Sequence, residues 1–463
     1  MRAFVRVVPR VCAAVIVTVL LCAAPPALAQ APAPAGVGAR PLTLGEALGL
    51  AAQANHSLRV AAFEVTVARS QVAQAEALRR GVLTLGASYT RLNERPGGVI
   101  VIPAGTLPPP LDGQPITIPL PPPTPTLYQV GLTYQIALTS GGRNEAQLAL
   151  AQANLTGAEA TLARATQQVV LEVKQAYYQV LLAQAGLEVA QRTATAAEEN
   201  LRVARARVAA GAAPRFDEVQ AEVNLAAARQ GLVRARNSLA LAQHGLNAVL
   251  GQPLDTIWAP RETMTILPVR TAPAVLRQRA LEARPELAEV RARIAAAEAA
   301  IAIVRAGTRP LVVAQGGPTW GNTTGTTSTG TAGVGWSVTL SATLTLFDGQ
   351  LTAERLREAE ARAAQLRATE AHLRQTVELE VRRALLTHAS AVEELATADK
   401  TIEQAQEGYR IATVRFAAGV STTLEVVQAQ AALSQAEAHR IQALFNVNLA
   451  RAQLERAIGG PVE

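Results

Sequence analysis

The feature that most constrains this chain is that its plan is written twice. A shift of 208 positions lays Tyr128 on Trp336, Val130 on Val338, Leu132 on Leu340 and Ile136 on Leu344. The register then holds without a gap through Leu171-Glu-Val173 on Leu379-Glu-Val381, Gly211 on Gly419, and Val219-Gln-Ala221 on Val427-Gln-Ala429. It ends at Leu250-Gly251 on Ile458-Gly459. Upstream the offset becomes 229, with Leu58 on Leu287 and Arg80 on Arg309, so the first copy has 21 more residues between its two strands. A duplication on this scale means one architecture built twice.

Each copy joins two signals of different period. From Trp336 to Leu346, Trp336, Val338, Leu340, Ala342, Leu344 and Leu346 alternate with Ser337, Thr339, Ser341, Thr343 and Thr345. This predicts a strand with one apolar face and one small-polar face. After Phe347-Asp348-Gly349 a proline-free run continues to Gly419, long enough for a helix of roughly 100 Å. Helices are expected at 43–80, 144–210, 215–250, 274–309, 351–418 and 421–458, and Ala, Leu, Gln, Glu and Arg dominate them. Apolar positions three or four apart, such as Val169, Val173, Ala176, Val180, Ala183 and Leu187, make a coiled-coil seam that requires no cofactor. The other strands are expected at Val82–Arg91, Tyr128–Leu138 and, with the weakest alternation, Leu311–Trp320. The Pro- and Gly-crowded 96–125 and the Gly/Thr/Ser run 321–335 read as loops.

Alternating ten-residue strands with Tyr89, Tyr128, Trp320 and Trp336 near their loop ends fit a transmembrane barrel better than a soluble sandwich, because the second face is Thr, Ser and Gln. Four strands cannot close a barrel, for which about eight is the practical minimum. Open edges in lipid leave backbone groups unsatisfied. The barrel is therefore expected to be shared between chains, with about eight strands as a dimer or twelve as a trimer.

Arg2, Arg6 and Arg10 precede an apolar stretch from Val11 to Ala24, and Ala27-Leu28-Ala29 precedes Gln30. That is the pattern of a secretory signal peptide over 1–29, followed by an Ala/Pro/Gly linker over 30–41. The first repeat is then expected over 42–251 and the second over 274–463, with 252–273 joining them. Both cysteines, Cys12 and Cys22, fall in the leader, so no disulfide is expected beyond it. A lipid anchor at Cys22 is disfavoured by Leu21, which stands where such sites want a small residue. Removing the three leader arginines lowers the net charge from +7 to +4. Arginines alternate with glutamates along the helices, as solvated faces do, so no nucleic-acid stripe is expected.

With these elements in place, the chain resembles the TolC-like outer-membrane efflux channel family over essentially everything after the linker. Leu42-Thr-Leu-Gly-Glu-Ala-Leu48 with Asn55 resembles the family's opening segment, although His56 stands where proline is usual, and Arg284-Pro285-Glu286-Leu287 resembles the start of its second repeat. Leu138-Thr139-Ser140-Gly141-Gly142 and Leu346-Phe347-Asp348-Gly349 are similar to its strand-to-helix turns. The resemblance implies a mainly α fold with a small β part: a homotrimer whose shared twelve-stranded barrel sits in outer-membrane lipid above a periplasmic α-helical tunnel. It also implies a periplasmic adaptor and an inner-membrane pump as partners. Gly211 and Gly419 resemble hairpin tips and are the expected adaptor-docking positions. Asp217, Glu425 and Gln428 follow the tips, where relatives carry acidic rings that constrict the pore; Gln428 is neutral where a second acid is common. Phe416 and Ser421 stand at positions resembling a tyrosine and an arginine that latch the closed state.

No catalytic constellation competes with this reading. His56, His244, His372, His388 and His439 lack ligand spacing and read as scattered surface histidines, and no serine sits in a nucleophile elbow. Neither metal nor other cofactor is expected. The alternative is a periplasmic coiled-coil adaptor or scaffold, which accounts for secretion and helices but not for four amphipathic strands.

Overall fold

The computed structural model describes residues 40–91, 93, 99–106, 108, 110, 113–119, 126–266, 268–322, 332–418 and 420–462. The expected signal peptide and nearly all of the linker lie outside the described residues. The architecture below belongs to the unit Pro41–Glu463.

The first repeat runs β1 (Arg40–Leu42), α1 (Leu44–Ala54), α2 (His56–Ala77), β2 (Val82–Arg91), β3 (Val99–Ile102), β4 (Ile116–Pro119), β5 (Thr126–Thr139), α3 (Arg143–Ala209) and α4 (Arg215–Leu250). After β6 (Trp258–Pro260), the second runs α5 (Pro273–Ala283), α6 (Pro285–Ala306), β7 (Leu311–Gly321), β8 (Gly333–Thr343), α7 (Leu351–Ala417) and α8 (Thr423–Ile458). The long helices α3 and α7 have 67 residues each, and α4 and α8 have 36 each.

Two helices expected as single runs are broken. The segment 43–80 divides at Asn55, which caps α2 by accepting from the N–H groups of Ser57 and Leu58 while donating to the Val249 carbonyl at 2.7 Å. A capping asparagine satisfies helix-end donors that would otherwise be orphaned, and here it also pins the break to α4. The segment 274–309 divides at Arg284, held extended before Pro285. Its buried guanidinium pairs with Glu380 on α7. Both breaks sit inside uninterrupted apolar patterns, so periodicity alone passes over them.

The opening Leu42–Leu48 segment is a structural tie. Thr43 and Glu46 form a reciprocal capping box at the start of α1. Leu42 is buried, and its carbonyl accepts from Tyr177 Oη at 3.2 Å. Asn247 of α4 is fully buried and donates to the carbonyls of Leu254 and Thr256, both at 2.7 Å, while accepting from Trp258 Nε1. The hydrogen bonds of one side chain thereby hold the segment that leads out of the first repeat. Gly251, at φ +67°, lies so close to Ala54 that a Cβ would stand 2.4 Å from its carbonyl oxygen. Its counterpart Gly459 packs on Ala283 in the same way. The two repeats touch through Lys174 on α3, ion-paired with Glu455 on α8.

Strands β2, β5, β7 and β8 form one antiparallel sheet in that order. The register places Leu83, Leu85, Ala87 and Tyr89 opposite Tyr134, Leu132, Val130 and Tyr128. Across β7 it places Ala314, Gly316, Pro318 and Trp320 opposite Leu340, Val338, Trp336 and Val334. Opposed residues in a ladder share a face, so one apolar surface crosses all four strands. Trp336 and Val334 are each 80% exposed on it. The other surface carries Thr84, Ser88, Gln129, Thr133, Gln135, Gln315, Thr319, Ser337, Thr339 and Ser341. Leu311–Gly321, the weakest strand signal, lies in the interior of the sheet. Its alternation is blurred by Gly316, Gly317 and Gly321, where a Cβ would meet neighbouring backbone at 2.7, 1.9 and 2.2 Å.

Several strand boundaries differ from expectation: β5 runs Thr126–Thr139, β7 reaches Gly321, and β8 begins at Gly333, inside the expected loop. β8 ends at Thr343, so Leu344 and Leu346 lie past it and Leu346 is largely exposed. The segment 96–125 contains a second small sheet, β3 with β4, pairing Val99 with Pro119 and Ile102 with Ile116. Flanking prolines and glycines mask that short hairpin in the sequence. Among the described residues no helix is long and apolar enough to cross a membrane.

Candidate entrance gate and docking tips

The first tip is built by glycine chemistry. Helix α3 ends as Gly211 enters the left-handed region at φ +71°, letting the Ala212 N–H reach back to the Arg207 carbonyl at 2.8 Å. The surroundings leave open space for a Cβ at Gly211, so conformation alone demands the glycine. Gly419 lies outside the described residues. Beside it, Val420 donates to the Arg415 carbonyl at 3.1 Å, the bond 208 positions on from the one made by Ala212.

The expected gate residues fall into one hydrogen-bonded pair, one aromatic contact and two positions apart. Thr422 caps α8, and Glu425 stands in the first turn with its carboxylate accepting from Ser421 Oγ at 2.7 Å. Glu425 therefore serves the helix end as well as being exposed there. Phe416, near the end of α7, is half-buried beneath the Arg207 guanidinium, 4.6 Å from its ring centroid. This cation–π contact joins the tip of the first repeat to the tip of the second. Asp217 lies in the first turn of α4, its N–H donating to the Pro214 carbonyl, and Gln428 is exposed on the second turn of α8. Among the described residues no hydrogen bond or ion pair joins Asp217 or Gln428 to the other three, although Gln428 follows Glu425 by three on the same helix.

Sequence reasoning missed Arg207 and Arg205. Arg205 ties α3 to α4 through Glu218 and Glu222, at 3.2 and 2.6 Å. The positions 208 further on are Thr413, Val426 and Gln430, which have no charge to repeat the tie. The first hairpin is thus ion-paired at its tip, and among the described residues no ion pair repeats this at the second. Comparing the repeats position by position would have exposed that difference; the Arg207–Phe416 contact leaves no local signal.

Three comparisons bear on what this arrangement is. The family model for outer membrane efflux proteins matches residues 47–252 and 276–460. The chain belongs to that family. It is 27% identical to the cobalt-zinc-cadmium resistance protein CzcC of Cupriavidus metallidurans, over 91% of each chain. Its identity to the pyoverdine export outer membrane protein OpmQ of Pseudomonas aeruginosa is 25%, covering 72% of this chain and 70% of that one. Among solved structures, the outer membrane protein VceC of Vibrio cholerae matches with a TM-score of 0.71 at 21% identity, covering 91% of this chain and 97% of that one. The protein is an outer-membrane efflux channel, not a periplasmic adaptor or scaffold, and its family is one of channel proteins rather than enzymes.

Proposed function

We propose that three copies of this chain close one twelve-stranded barrel in outer-membrane lipid and continue into a single periplasmic tunnel. The tunnel is a passive conduit that receives cargo from an inner-membrane pump through a periplasmic adaptor, in a tripartite efflux or type I secretion system. The observation that carries this reading is the sheet: apolar on one face, hydroxyl and amide on the other, and bare along the outer edges of β2 and β8. The tips at Gly211 and Gly419 form the adaptor-docking end. Glu425, with Asp217 and Gln428 near it, lines the entrance, where three Glu425 carboxylates about 8 Å apart repel by roughly 0.5 kcal/mol per pair in water. Such a ring attracts cations. The Arg207–Phe416 contact takes the place of the tyrosine–arginine latch and holds the two hairpins of one chain together. Similarity to CzcC over nearly the whole chain makes divalent metal ions the first cargo to test, ahead of a siderophore.

Planar-bilayer recording tests this reading. The purified protein is expected to insert as a pore that divalent cations block from the tip side, and Glu425→Ala is expected to abolish that block. A protein that stays in the soluble extract and forms no pore overturns the channel. Wild-type block in Glu425→Ala, with only thermal stability reduced, leaves Glu425 as a helix cap.

A further inference from the structure

The expectation that all five histidines lie on the surface fails at one of them. His56, His244, His372 and His439 are exposed, whereas His388 is 8% exposed and buried in the seam between α7 and α8. Its Nε2 has no hydrogen-bond partner among the described residues of the chain. A buried polar nitrogen without a partner is costly in a packed interface and calls for a reason.

The seam is divided at this residue. On one side Val377 and Val381 pack with Leu454 and Ile458; on the tip side Ala391, Leu395 and Ala398 pack with Ala443, Val447 and Ala450. The first repeat has no such division, because Val173, Tyr177, Val180 and Ala183 share one core with Leu246 and Leu250. Val180 is the counterpart of His388 at the 208 offset and is fully buried. Apolar Ala384, Leu385, Ala391 and Val392 neighbour His388 on its own helix. From α8 the charge acting on it is Arg451, which is committed to Glu455 and to the Val462 carbonyl. The ion pairs that α5 and α6 make with α7 involve Glu360, Arg367, Glu370 and Glu380, all on the barrel side of His388.

We propose that His388 makes the α7–α8 seam acid-sensitive: its protonation adds a second positive charge, acted on by Arg451, in a packed interface, and the tip-side half of the hairpin loosens from the rest. Burial first, and the Arg451 charge second, push the His388 pKa below the ordinary value of 6.5. A depressed histidine pKa stabilises the packed seam fully above about 6.5, where the ring is neutral whether packed or loosened. As pH falls below that value the loosened seam takes the proton more readily, and the stability is lost until the packed ring itself titrates.

Hydrogen exchange on the full-length protein in detergent, compared at about pH 7.5 and 5.5 and corrected for intrinsic exchange chemistry, tests this. Peptides covering 384–398 and 443–454 are expected to lose protection on acidification, by up to about tenfold, because pH 5.5 lies about one unit below the ordinary histidine pKa. Those covering 176–190 and 235–246, the matching seam of the first repeat, are expected to hold theirs. His388→Val, which copies Val180, is expected to abolish the loss, and Arg451→Gln, which copies Gln243, to reduce it. An equal loss in both seams, or an undiminished loss in His388→Val, overturns the proposal.

Discussion

Gln350 carries a backbone conformation that its own repeat partner assigns to glycine. It precedes α7 at φ +72° and is the sole described non-glycine residue with positive φ. Gly142 occupies the equivalent position before α3 at φ +92°, and Gly141 matches Gly349 at +63° and +65°. The left-handed region costs a side-chain-bearing residue about 1–2 kcal/mol, while glycine adds about 0.5–1 kcal/mol of unfolded-state entropy. Gln350→Gly is therefore expected to stabilise the protein by a few tenths to about 1 kcal/mol, raising its melting temperature by about a degree. Circular dichroism in detergent reads this, and a lower melting temperature would mean the Gln350 side chain holds the turn. The same comparison explains Arg284, which stands where the first repeat has Asn55: one break is capped by an amide and the other is braced by an ion pair.

At the scale of elements, the apolar face of β8 is expected to meet lipid and its hydroxyl face water. Leu340→Arg near the midplane should cost about 2–4 kcal/mol and impair assembly, whereas Thr339→Arg should assemble and change conductance. Cysteine labelling checks the assignment: if residues 338 and 340 react with water-borne reagents from the lumen, the faces are reversed. Alternation along β2, β5 and β8, with the 208 offset that relates β5 to β8, made those strands legible, as proline-free length did for α3 and α7. The helix breaks were not legible from periodicity, although Pro285 marks one of them. At Asn55 a capping residue interrupts a pattern whose apolar spacing continues undisturbed, and at β3–β4 short strands are hidden among prolines. Of the tips and the gate, the helix-ending role of Gly211 could be read from its place between two helical runs. The Arg207–Phe416 contact could not, because it joins residues from different repeats and depends on how the two hairpins pack.

For the whole molecule, the decisive quantity is the state of the sheet's two edges. β2 has ten residues, and about half its backbone groups point away from β5. Bare in lipid at several kcal/mol each, those groups cost on the order of tens of kcal/mol, more than the net stability of most folded domains. In water the same groups are hydrated, so a single chain can exist before insertion but not within the membrane. β8, the opposite edge, is equally bare, and pairing the β2 of one copy with the β8 of the next satisfies both. The arrangement is heterologous, so it closes into a ring only when the rotation between copies is right. Disulfide trapping tests this directly, because the two native cysteines, Cys12 and Cys22, lie outside the sheet. Ser88→Cys on β2, combined in turn with Ser337→Cys, Thr339→Cys or Ser341→Cys on β8, keeps both thiols on the hydroxyl face. At least one pair should yield covalent dimers and trimers on a non-reducing gel, with nothing larger. Thr84→Cys with Thr133→Cys, already opposite each other within one chain, should leave a monomer. A ladder ending at two copies would mean eight strands, and monomer alone from every β2–β8 pair would mean the edges do not meet.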